Sequence, residues 1–122
     1  LGLATGENEK LSVQDFGIDN ITDADGLAVG RPSGFVGNMV GRLLSGIYTV
    51  EDNELYKLLA MMKDEENIKI EPSATPGLLG PLQVESSVKN ATHIAWATGG
   101  LFVPEDMMRE FYERGKKQLG EL

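Results

Sequence analysis

The chain holds 122 residues, enough for one domain or part of one, and 41% of them are apolar and can build a core. Against 11 Lys and Arg stand 19 Asp and Glu, a formal charge of -8 that argues against nucleic acid or an anionic membrane surface as a partner. The absence of cysteine excludes disulfides, thiolate nucleophiles and thiolate metal sites together, and it fits a reducing compartment, with cytoplasm as the expected location.

The opening, Leu1 to Gly6, carries neither an initiator methionine nor a basic and apolar signal, and it reads as cut from something longer. No apolar run approaches a membrane span. Gly6 to Lys10 is a polar turn, and Leu11 to Ile18 reads as a short strand. Asp19 to Ser33 is rich in Gly and Asp and lacks helical periodicity; a loop of that length in a compact domain usually has a function. Ser33 is placed to cap a helix on which Phe35, Val36, Met39, Val40, Leu43 and Leu44 share one side, which should pack, and Gly46 ends it. Ile47 to Val50 is β-branched and aromatic, hence a strand.

Asp52 is expected to cap a second helix with Leu55, Leu58, Leu59 and Met62 inward, Lys63 to Glu66 as its solvated end and Asn67 as its stop. Ile68 to Ser73 reads as a strand ending in a polar corner, because Pro72 cannot continue a ladder. A third helix begins at Thr75 with Pro76 in its first turn, although Gly77, Gly80 and Pro81 weaken it and suggest that something comes close. His93 to Ala97 has the little-alternating apolar character of a strand buried on both faces. Pro104 opens a last helix with Glu105 and Asp106 in its first turn and Met107, Met108, Phe111 and Tyr112 on its apolar side.

Strand and helix thus alternate four times, which implies an α/β fold: a mainly parallel sheet flanked by helices, in one segment spanning 1–122 without linker or repeat. Ligands in such sheets lie at the carboxyl ends of strands. Three groups occupy those ends: Asp25-Gly26, Glu71-Pro72-Ser73 and Thr98-Gly99-Gly100, of which the last is otherwise a plain turn into the next helix. The single histidine, His93, reads as a core residue, so metal sites of the His or Cys type are excluded by number. No glycine-rich phosphate loop and no nucleophile elbow occurs.

Five stretches carry a resemblance. Gln14-Asp15-Phe16-Gly17-Ile18-Asp19-Asn20, Asp25-Gly26-Leu27-Ala28-Val29-Gly30-Arg31, Ser33-Gly34-Phe35-Val36-Gly37, Ile70-Glu71-Pro72-Ser73-Ala74 and Asn90-Ala91-Thr92-His93-Ile94-Ala95-Trp96-Ala97-Thr98-Gly99-Gly100 closely resemble the C-terminal part of the bacterial D-serine dehydratase family, the D-serine ammonia-lyases. More loosely, the three corners look like those of the wider fold type II pyridoxal phosphate enzymes.

The resemblance implies the last part of a large, cofactor-holding domain, in an enzyme that turns D-serine into pyruvate and ammonia by β-elimination. Its partners are then the remainder of the same polypeptide and a small amino-acid substrate. In that family the lysine that binds the cofactor covalently and the phosphate loop both lie upstream, and the contexts of Lys10, Lys57, Lys63, Lys69 and Lys89 do not match that lysine, so the segment is not competent alone. By the same likeness Thr98 would meet the pyridine nitrogen of the cofactor, Gly99 and Gly100 would let the backbone pass the ring, and Glu71 and the Asp25-Gly26 corner would lie near it. A lone hydroxyl, unlike a carboxylate, does not hold a proton on that nitrogen, which makes the ring a milder electron sink. The family tends to have a longer connection than the one here between Pro81 and Thr92. Two further readings stay open: an autonomous, non-catalytic α/β binding or assembly module, and a piece that associates with itself through an exposed sheet edge.

Overall fold

Helices α1 (Gly2–Thr5), α2 (Gly34–Val40), α3 (Asp52–Glu66), α4 (Gly80–Gln83) and α5 (Glu105–Gly120), linked by 3-10 turns and extended chain, are the regular elements of a computed structural model that describes residues 2–84 and 89–120. Among the described residues there is no β-strand, which overturns the expected parallel sheet, and with it the α/β form of the non-catalytic alternative. The physical reason lies in what a strand requires. A strand buried on both faces draws its stability from neighbours that accept its N–H groups and cover its side chains, and these residues do not supply them. The stretch expected to be most buried is instead extended and open, with Ile94 90% and Trp96 84% exposed, and His93 is exposed rather than in a core.

The chain divides into two compact units, Leu1–Ile47 and Tyr48–Leu122. In the first, the expected strand from Leu11 to Ile18 is a 3-10 turn, Val13–Phe16. Asp15 accepts the Ser12 N–H at 2.7 Å and the Ser12 hydroxyl at 3.0 Å, and Gly17 leaves the turn with φ 75°. Local side-chain bonds of this kind compete with a ladder, and here they hold the Asp15 carboxyl below its usual range, the backbone bond from Ser12 first. The long loop that follows is tied down: Val13 N–H donates to the Gly30 carbonyl at 2.8 Å, Asn20 Nδ2 to the Ala28 carbonyl at 2.9 Å and Arg31 Nη1 to the Glu9 carbonyl at 2.7 Å. Ser33 caps α2 as expected, its Oγ accepting the Val36 N–H at 3.3 Å. The apolar side of that helix does not pack, however: Phe35, Val36, Met39 and Leu43 are exposed, and Gly37 is the buried residue of α2. A helix this short presents its apolar side, and no described residue covers it.

In the second unit, α3 and α5 pack through Tyr56, Leu59, Met108 and Phe111, with Val103 and Tyr112 at the margin. Side chains of this size contribute about 2 kcal/mol each when fully buried, and the rings of Tyr56 and Phe111 meet with centroids 5.8 Å apart. Leu55 and Leu59 turn inward as their spacing requires, and Tyr56 and Ala60 join them. Glu51 precedes the helix and Asp52 is its first residue, while Asn67 ends it in the left-handed region at φ 54°. Gly115 decides how close the helices come, because a Cβ there would strike the Tyr56 carbonyl oxygen and lie 2.9 Å from Ala60 Cβ. Beside this contact, Arg114 lies over the Tyr56 ring at 3.9 Å. At the other margin Asp64 accepts the Tyr112 hydroxyl at 2.8 Å and Lys116 Nζ at 2.9 Å, and Lys63 lies over the Tyr112 ring at 3.8 Å. The expected third helix is split into a 3-10 turn, Pro76–Leu79, and the single turn α4, as its glycines and Pro81 dictate.

Gly115→Ala sets about 1 kcal/mol of helix propensity against an overpacking cost of about 1–3 kcal/mol. The obstacle is a backbone carbonyl that cannot step aside, so the substitution is expected to destabilise, with a lower urea midpoint and an unchanged slope. A second test uses pH. The Lys116 ammonium, and after it the Tyr112 hydroxyl, hold the Asp64 carboxyl below its ordinary value. The contribution of this group is therefore present above the unfolded aspartate value, about pH 4, and is lost as pH falls through the lower folded value. Asp64→Asn is expected to flatten that acid limb in thermal unfolding and to leave the neutral region sloping as before.

Candidate functional site

The residues after α3 and before α5 form one corner. Ile68 to Glu71 leaves α3 in extended form, and the chain then tightens into the 3-10 turn Pro72–Ala74, whose three residues are buried. Thr75 is fully buried, and its hydroxyl donates to the Pro72 carbonyl at 2.9 Å, an internal bond that satisfies it without any ligand. Against this turn runs the stretch from Ala91 to Gly100. The Glu71 N–H donates to the Gly99 carbonyl at 3.0 Å, so the two extended stretches touch through a backbone bond without forming a ladder. Thr98 Oγ1 donates to Glu71 Oε1 at 3.3 Å, longer than the usual O–H···O distance of about 2.7 Å, and this bond is exposed.

The glycines of the corner have different tasks. Gly100 has φ 147°, and a Cβ there would lie 2.7 Å from Ile70 Cα and 2.8 Å from Glu71 N, so the bare backbone is needed for the approach of the Ile70-Glu71 stretch. Gly99 lies over the Glu71 side chain, where a Cβ would come within 3.2 Å of Oε1. Gly77 and Gly80 are not forced in this way: a Cβ at Gly77 would make ordinary contact at 3.9 Å with Ala95 Cβ and Trp96 N, and at Gly80 it would meet nothing within 4 Å.

Of the residues singled out in the sequence, Glu71, Thr98, Gly99 and Gly100 therefore come together. Asp25 and Gly26 lie in the first unit, in the 3-10 turn Asp25–Leu27, where the Asp25 carbonyl accepts the Ala28 N–H at 3.1 Å. Sequence reasoning passed over Ile70 and Thr75, which shape the corner. Thr75 had a readable signal, a hydroxyl three residues after a proline carbonyl, a spacing at which side chain and backbone close on each other. Ile70 had none, because its partner is the backbone of a glycine thirty positions on. Among the described residues no group of acidic or histidine side chains is arranged to hold a metal ion, and no helix is long and apolar enough to cross a membrane.

No family model matches the chain. Curated relatives do. A probable D-serine dehydratase of Carboxydothermus hydrogenoformans is 59% identical over 119 residues, which is 98% of this chain and 28% of the relative. One of Bacillus cereus (strain ATCC 14579) is 56% identical over 127 residues, 94% of this chain and 29% of the relative, and one of Geobacillus stearothermophilus is 52% identical over 130 residues, 94% and 28% respectively. Over nearly its whole length the chain is similar to these probable D-serine dehydratases, of whose length it spans under a third. The Bacillus match is longer than the 122 residues of the chain, so that relative holds residues lacking here. The short connection noted between Pro81 and Thr92 includes residues 85–88, which lie outside those described.

Gly100→Ala would need both a new backbone angle and room that Ile70 and Glu71 occupy. A strained position of this kind costs about 1–3 kcal/mol, and the local expression of that cost is faster hydrogen exchange at the Glu71 amide. Exchange at wild-type rate in Gly100→Ala would contradict the close approach.

Proposed function

We propose that this segment contributes the ring-nitrogen side of the cofactor site in a pyridoxal-phosphate-dependent D-serine ammonia-lyase, an enzyme of the cytoplasm that releases pyruvate and ammonia from D-serine. The observation that carries the reading is the convergence of Thr98 and Glu71 on one glycine-backed corner, in a chain 52–59% identical to proteins named for that activity. Thr98 binds the ring nitrogen, Gly99 and Gly100 bring the backbone close to Glu71 and Ile70 beside it, and Glu71 stands behind the hydroxyl. The donor set fits the group, since the nitrogen of a flat heteroaromatic ring asks for one polar side chain and the exposed hydroxyl of Thr98 supplies it. Bound pyridoxal phosphate supplies the electron sink for loss of the Cα proton and departure of the β-hydroxyl. The five lysines quoted above lie in other contexts, so the covalent attachment and the phosphate cradle come from the rest of a longer polypeptide. That remainder also covers Ile94, Trp96, Leu101 and Phe102, which are 84–96% exposed here and are the groups through which an isolated segment would self-associate.

Thr98→Val keeps the shape and removes the polar contact. In the full-length polypeptide it is expected to weaken cofactor retention by about tenfold, the scale of one hydrogen bond, and to shift the cofactor absorbance. The 122-residue segment by itself is expected to show no D-serine turnover. An unchanged spectrum and retention in Thr98→Val, or turnover by the isolated segment, would overturn the reading.

A further inference from the structure

The unit Leu1–Ile47 is held in shape by backbone and polar bonds rather than by a core. Among its described residues Ala24 is the only hydrophobic side chain that is buried. Within this unit α2 has two unlike sides. On one, Gly37 and, just past the helix, Gly41 face Leu3, whose Cδ2 would stand 3.2 and 3.5 Å from a Cβ at these positions, and Asn38 Oδ1 accepts Asn8 Nδ2 at 3.4 Å. On the other, Phe35, Val36, Met39 and Leu43 recur at helical spacing and lie open, Phe35 75%, Met39 61% and Leu43 79% exposed. Gly34–Val40 contains no charged residue, and its one polar side chain, Asn38, is on the glycine side. A helix that faces water carries polar and charged groups on its outer side, and one that is apolar there is covered in the native protein.

We propose that the open side of α2 is the seat of the polypeptide that precedes this segment in the full-length protein. The length of the relatives supplies the occupant: each is more than three times as long as this chain and matches it with its C-terminal part, so most of each lies before the matched residues. The geometry supplies the approach. Gly2 is buried, with the Asn8 carbonyl oxygen and, at 2.8 Å, Pro32 Cγ in the space of its absent Cβ, and Pro32 stands two residues before the start of α2. The preceding chain therefore joins beside this helix, and the covalent link holds it there at an effective concentration on the order of millimolar, which favours it over a second copy. A lipid surface does not fit, because helices that lie on membranes carry Lys and Arg along their polar face and α2 has neither. The surface that α2 asks for is apolar and uncharged, as the covered face of a helix or sheet is. Thr98 lies in the other unit and has no part in this contact.

Two measurements on the full-length polypeptide test this face. In the unmodified protein, dilute hydrogen peroxide is expected to convert Met39 to its sulfoxide about tenfold more slowly in the native state than in urea, since oxidation follows exposure. A native rate equal to the unfolded one overturns the proposal without any variant. The occupant is then read by Phe35→p-benzoylphenylalanine, a photoreactive side chain of similar shape, with peptide mapping after irradiation. The crosslink is expected on a peptide of the same chain that precedes Leu1. A crosslink to a second copy, to residues 1–122 of the same chain, or to nothing overturns the proposal. Met39 oxidation and cofactor retention in Thr98→Val are separate readouts, so this face can fail while the Thr98 contact stands, and the reverse.

Discussion

The meeting of Gly115 with the Tyr56 carbonyl is the contact on which the second unit depends. Helices whose facing positions are a glycine and a backbone oxygen approach more closely than side chains would allow, and that approach brings the rings of Tyr56 and Phe111 together over Leu59 and Met108. The corner inherits this rigidity. Its two stretches are the continuations of the packed pair, one leaving α3 at Asn67 and the other entering α5 through Pro104. The same device recurs at Gly100, where an absent Cβ again lets backbone meet backbone. At both places the obstacle to a side chain is main chain, which has no rotamer to move, so the tolerance is much smaller than at a glycine facing flexible side chains.

The chemistry of the corner follows from how few groups it holds. One hydroxyl, one carboxylate and two glycines, with neither a group for covalent attachment nor a counter-charge for a phosphate, would on the proposed reading serve as one wall of a larger site. The match to relatives more than three times as long agrees with that division of labour. So does the distribution of apolar surface, which is buried between α3 and α5 and left open around Trp96 and Phe102. The open groups flank the corner in sequence, where the remaining walls of a cofactor site would have to close.

Local patterns were legible wherever the partners of a residue lie within a few positions of it. The cap at Ser33, the stop at Asn67, the inward turn of Leu55 and Leu59 and the start of the last helix at Pro104 were all readable, because each depends on helical periodicity or on one side chain reaching nearby backbone. The same locality explains the failure at Leu11 to Ile18. A β-like composition was read there, but Ser12 and Asp15 bond each other and close a turn before any neighbouring strand is available. The corner residues Glu71, Thr98, Gly99 and Gly100 were first singled out as strand-end groups, a ground that falls with the strands among the described residues, and then through likeness to a known family.

By itself the sequence determined the amphipathic helices α3 and α5, the stop at Asn67, the absence of thiol chemistry, and a likeness to D-serine dehydratases over nearly the whole chain. Tertiary structure decided that the apolar runs are not a sheet, that α2 lies uncovered, and that the proton of Thr98 is turned toward Glu71. The reason is range. A helix satisfies its own backbone within four residues, so its existence is written locally. A strand or a side-chain pair is satisfied by whatever lies across from it, and that neighbour is named nowhere in the stretch that needs it.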